Sequence, residues 1–184
     1  MRNYQGQPPQ VLYTSTQQIL ELSMVSGNSE NLFFLEFQNN NLIELKSINL
    51  VNGKQQNWRD IIPDLPNKIG HLQYSMKSNT LFIVKYESEM PKIASLYLNT
   101  KKISLINDHF SEINRIAVVS DHSLLVVGIL GESEGIWFVD TQKQPQLVLR
   151  SSGSENIVDV QIDVKKSVIF YANAQKNMDV KLVS

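Results

Sequence analysis

Ile113–Ser151, INRIAVVSDHSLLVVGILGESEGIWFVDTQKQPQLVLRS, reads as four short strands parted by turns. Apolar runs alternate with Ser120-Asp121-His122, with Gly131 to Gly135 and with Thr141 to Gln144. Runs of this length, rich in β-branched residues and bounded by turn formers, are strand signals.

Working outward, the same unit recurs. Ile69, Ile113 and Ile157 stand 44 residues apart, and a stretched earlier copy begins near Ile19. Each copy opens on alternation, as in Ile157-x-x-Val160-x-Ile162-x-Val164, which gathers apolar side chains on one strand face. A denser second run follows: Leu32 to Leu35, Leu81 to Val84, Leu124 to Val127 and Val168 to Tyr171. Continuous apolarity suits a strand covered on both faces, as when sheets stack around an axis. Third strands are expected over Leu42–Leu50, Ile93–Leu98, Ile136–Asp140 and Met178–Val183, and polar fourth strands over Lys102–Ile106 and Pro145–Leu149. Four strands repeating every ~44 residues are the mark of a propeller blade.

The expected fold is therefore all-β and β-propeller-like, with four repeats that each form a four-stranded antiparallel blade. Residues 1–8 are read as a tail and 9–184 as one domain, with repeats at 19–68, 69–112, 113–156 and 157–184 plus 9–15. Pro9–Ser15 resembles the fourth-strand segment Pro145–Ser151, so the N-terminal strand is expected to complete the last blade. A piece of a longer propeller and two chains meeting as halves of a larger ring are the alternatives. Arg59 to Lys68, with two prolines, reads as an irregular connection between blades.

The Ser-Asp turn before the second strand, the five-residue turn after it, and the Ile136-Trp137-Phe138-Val139-Asp140 strand resemble the WD40-like repeat of TolB-type propellers. That family's Ser-Pro-Asp-Gly turn survives as Ser120-Asp121-His122 and, fainter, in Ser75–Asn79. No unit carries the Trp-Asp ending or Gly-His start of true WD repeats. The resemblance implies a scaffold for protein or ligand binding, often bacterial and periplasmic, and sometimes a sensor joined to another domain.

Composition narrows the chemistry. With 17 basic and 18 acidic residues the chain has a net charge of −1, so no bulk field draws it to nucleic acid or anionic lipid. Cysteine is absent, which removes disulfides, thiolate metal sites and cysteine nucleophiles. No apolar run approaches the ~18 residues of a membrane span, and MRNYQGQPPQ has no signal-peptide core. The compartment follows as periplasmic if the chain belongs to an exported or membrane-anchored protein, and otherwise cytoplasmic.

No catalytic, cofactor-binding or metal-ligating set is expected. His109 lies between blades and His122 in a first-to-second-strand turn, at opposite ends of a strand, while His71 falls at a step off the apolar face. Asp121-His122-Ser123 cannot form a hydrolase triad from adjacent residues. Gly131-Glu132-Ser133-Glu134-Gly135 lacks the Gly-Lys-Ser/Thr ending of a phosphate loop. The leading expectation is a non-catalytic binding domain for a protein or small ligand, without nucleic acid, with homodimerisation compatible. A narrower version makes it the sensory or partner-docking domain of a larger bacterial membrane-anchored transcription regulator. Its binding face is assigned to the inter-blade connections and second-to-third-strand turns, on Trp58, Arg59, Asp60, Asp108, His109, Phe110, Glu132, Glu134 and Glu155. The alternative is a small propeller hydrolase or lyase with Asp108, Glu112 and Glu155 at the axis mouth.

Overall fold

Strands form where β-branched and aromatic residues run together between turn residues, and here they build four sheets. The computed structural model describes residues 11, 13–23, 30–38, 42–152 and 155–175. Blade 1 contains β1 (Ile19–Ser23), β2 (Asn31–Phe37), β3 (Ile43–Asn49) and β4 (Gln55–Asn57). Blade 2 contains β5 (Ile69–Ser75), β6 (Thr80–Glu87), β7 (Met90–Tyr97) and β8 (Lys102–Asn107). Blade 3 contains β9 (Phe110–Ser120), β10 (Ser123–Leu130), β11 (Ser133–Asp140) and β12 (Gln146–Arg150). In each of these the strands pair antiparallel in chain order. Blade 4 is described as the pair β13 (Glu155–Asp163) and β14 (Val168–Gln175). Its expected third strand, Met178–Val183, lies outside the described residues, and so does the pairing of the two chain ends. Of the expected N-terminal strand, Val11 and Tyr13–Ser15 are described and carry no ladder.

The dense second strands of the two middle blades, Leu81 to Val84 and Leu124 to Val127, are buried on both faces, because one face meets the preceding blade and the other the next. Three apolar layers result. Phe33, Leu35 and Leu45 of blade 1 pack on Leu72, Leu81 and Ile83 of blade 2. Phe82, Val84 and Ile93 pack on Ile116, Leu124 and Val126 of blade 3. Ala117, Leu125 and Val127 pack on Ile157 and Val160 of blade 4. Each such side chain contributes roughly 1.5–3 kcal/mol by leaving water. Among the described residues no layer joins blade 4 to blade 1.

Two connections are tighter than their sequences suggest. The five-residue turn expected over Gly131–Gly135 is a two-residue hairpin, since Leu130 pairs with Ser133, Ile129 with Glu134 and Gly128 with Gly135. Facing glycines leave no apolar alternation to read there. A Cβ on Gly128 would meet the Glu112 carbonyl oxygen at 2.2 Å, so that site needs glycine for close backbone approach. Glu87–Lys92 likewise turns only on Ser88 and Glu89, with φ of 51° and 66°. Such a turn favours Asn-Gly, because L-residues crowd their carbonyl in that region. Ser88→Asn with Glu89→Gly is expected to raise the melting temperature by about 2–4 °C in a thermal scan.

The connection at Arg59–Lys68 is part of the core. A 3-10 turn, Trp58–Asp60, is capped by Asn57, whose side-chain oxygen accepts from the Arg59 amide at 3.0 Å. Ile62 and Leu65 then enter the layer between blades 1 and 2. The Arg59 guanidinium donates to the carbonyls of Leu65 and Pro66, both at 2.9 Å, and so closes the loop on itself.

Candidate functional site

Every blade's first strand carries a β-bulge near its start, with pairing shifted across Leu20, Gly70, Asn114 and Val158. A bulge re-aims the next side chain. In each blade that residue is ionisable: Glu21, His71, Arg115 and Asp159, each two positions after the opening isoleucine. The four converge. Glu21 lies 3.1 Å from His71 Nδ1 and accepts from Arg115 Nη1 at 3.2 Å. Arg115 Nε donates to Asp159 at 3.0 Å, and Asp159 also accepts its neighbour's amide at 2.9 Å. Three blades thus meet on one guanidinium. Glu21 is nearly buried in this network, whereas Asp159 keeps substantial exposure. His71, expected off the apolar face, points into this axial cluster and not to bulk solvent.

Both axial carboxylates are committed to Arg115. Among the described residues no group of three or more histidine, aspartate and glutamate side chains is arranged to hold a metal ion. Removing the guanidinium leaves two carboxylates facing each other without a cation. Arg115→Ala is expected to cost about 2 kcal/mol, measured by denaturant unfolding.

The residues assigned to the loop face divide into two groups. Trp58 is half-buried; its Nε1 donates to Ser47 Oγ at 3.0 Å and its ring packs on Phe33. Arg59 serves the loop closure described above. Phe110 is 1 % exposed and meets Trp137 edge-on at 6.1 Å, so its side chain is not presented on the surface. Asp60, Asp108, His109 and Glu132 are exposed, and Glu134 is half-exposed. Glu155 opens β13, with its side chain outside the described residues.

Glu112 and Glu134 are both paired opposite Ile129, so they share one face of blade 3, two strand spacings or about 10 Å apart. Glu132 sits beside them at the hairpin tip and Asp108 at the incoming connection. None of Glu112, Glu132 and Glu134 is hydrogen-bonded or ion-paired through its side chain among the described residues. The neighbouring hairpin differs: Lys85 and Lys92 donate to Glu87 and hold its carboxyl down to about 2. The sequence pattern assigns Glu132, Glu134 and Asp108 to a binding face and does not single out the axial quartet. The signal for the quartet was its fixed offset from each isoleucine.

No protein-family model matches the chain, and no characterised protein matches it in sequence. Solved structures do match. TolB from Acinetobacter baumannii superposes with a TM-score of 0.74 at 10% identity, over 93% of this chain and 41% of TolB. A chain of the nidogen/laminin complex gives 0.56 at 11% identity, over 78% of this chain and 51% of that one. The β-propeller domain of the Trilobed protease from Pyrococcus furiosus, described as an open velcro topology, gives 0.55 at 12% identity, over 92% and 58%. The chain spans less than two thirds of each of these. With sheets that stack through apolar layers and first strands that converge on an axis, the chain has a TolB-like β-propeller fold.

Proposed function

We propose that this chain is a non-catalytic binding propeller whose partner docks on the end of blade 3 formed by the inter-blade connection and the β10–β11 hairpin. One observation carries the reading: Glu112, Glu132 and Glu134 stand together there without serving the fold. Unpaired carboxylates on a rigid sheet end favour a basic protein segment, since complementary charge steers encounter and sets register. The axial carboxylates, by contrast, are neutralised within the molecule, which favours binding over acid–base chemistry.

An array of peptides of graded charge, probed with the purified chain, tests this. Basic peptides are expected to bind best, more weakly at higher salt, and to be lost on Glu112→Lys with Glu134→Lys. Retention that is unchanged by those substitutions, yet abolished by Lys165→Glu with Lys166→Glu at the opposite strand ends, overturns the assignment. The finer reading is a docking domain of a larger bacterial membrane-anchored regulator. It predicts a native product much larger than 21.0 kDa in the membrane fraction of source cells, read by immunoblot.

A further inference from the structure

The repeat supplies its own control for what should be buried. Ile69, Ile113 and Ile157 face the preceding blade and are at most 4 % exposed, yet Ile19 at the same position of blade 1 is 40 % exposed. Leu72, Ile116 and Val160 are 0 % exposed, and their counterpart Leu22 is 52 %. The opposite end shows the converse. Phe33, Phe82 and Leu125 face the following blade and are at most 2 % exposed, whereas Phe170 of blade 4 is 39 %. A shallow groove beside Phe170 is lined by Gln161 and Ala172. The two terminal faces therefore carry the apolar pattern of a blade interface without a blade against them among the described residues.

We propose that blade 4 of one chain receives blade 1 of a second copy of the same chain, head to tail. The occupant is chosen by the molecule's own interfaces. Blade 4 seats on blade 3 through Ile157, Val160 and Tyr171, and blade 1 offers Ile19, Leu22 and Phe34 at those positions. Tyr13 already covers Phe34, with ring centroids 4.9 Å apart, so Ile19 and Leu22 make the new contact. The axial end of such a joint brings Asp159 of one copy towards Glu21 of the other. Each of these carboxylates is already held by Arg115 in its own chain. Unlike faces of one chain meeting in this way form a heterologous contact, which closes into a ring or continues as a filament according to its rotation.

Sedimentation equilibrium of the full chain is the test, with Leu22→Glu and Phe170→Glu made separately. Concentration-dependent self-association is expected, weakened at least tenfold by either substitution. An equimolar mixture of the two variants retains one intact pair of faces and is expected to give a 1:1 heterodimer that grows no further. Both side chains are exposed in the single chain, so circular dichroism melts taken dilute enough for the wild type to be monomeric should match the wild type. Leu22→Gln and Phe170→Gln replace any variant that fails to fold. A wild-type chain that stays monomeric up to about 100 µM overturns the proposal, as does association indifferent to both substitutions. A mixture that assembles no better than either variant alone argues for a two-fold like-to-like contact and equally overturns it.

Discussion

Phe82→Ala is expected to lower stability by about 3–5 kcal/mol, the range for removing a fully buried aromatic ring from a core. Phe82 projects from β6 into the layer between blades 2 and 3, among Ile116, Leu124 and Val126. Those neighbours belong to a separate sheet whose backbone is fixed by its own ladder, so the space cannot close by local relaxation. The same change at the repeat-equivalent Phe170 should cost less than about 1 kcal/mol, because that ring keeps much of its exposure already. Urea unfolding of the two variants side by side checks both values. Equal losses would mean that Phe170 is covered as fully as Phe82.

The second large effect is electrostatic. Glu36 is buried on β2, where it accepts hydrogen bonds from Tyr13 at 2.7 Å, Gln38 at 2.6 Å, Ser15 and Lys46. Burial pushes its carboxyl pKa up, but the bonds from Lys46, Ser15 and Tyr13 outweigh that and leave it below the ordinary 4.5. Glu36→Ala should cost about 3 kcal/mol, towards the lower end for breaking a buried pair, because Lys46 keeps Glu44 at 3.2 Å. Glu36→Met with Lys46→Met should recover much of that loss, since no unpaired charge remains.

The pH dependence follows from the sign of the shift. A carboxyl with a depressed folded-state pKa binds fewer protons folded than unfolded, so stability rises with pH across that window. The Glu36 contribution is complete above about 4.5 and disappears as pH falls through the lower folded value. Melting temperatures of the wild type and Glu36→Gln should therefore converge as pH drops below 4.5 and separate above it. A gap that stays constant through that window would contradict the assignment.

The blade repeat was legible because burial acts on it three times over. Each internal interface requires an isoleucine at the strand start and a dense second strand, so hydrophobicity alone displays the period. The axial residues repeat just as regularly, but as glutamate, histidine, arginine and aspartate, and a search for similar residue types passes over them. Ser88–Glu89 was hidden for a related reason: the backbone takes a conformation that its residues do not advertise. Trp58 and Arg59 look like binding residues by type. Their use by the fold depends on the Ser47 hydroxyl and two loop carbonyls, acceptors with no signature in the sequence.

The Arg115–Glu21 contact has a consequence for how the molecule comes apart. In a linear array each repeat touches only its neighbours, so end repeats can peel away one at a time. Arg115 joins residues 94 positions apart, skipping blade 2 entirely, while its Nε holds a residue 44 positions on. Loss of blade 1 therefore also removes a partner from blade 3, which ties the fraying of one end to the middle of the chain. The central arginine works as a keystone that converts a row of stacked sheets into a more nearly all-or-none unit.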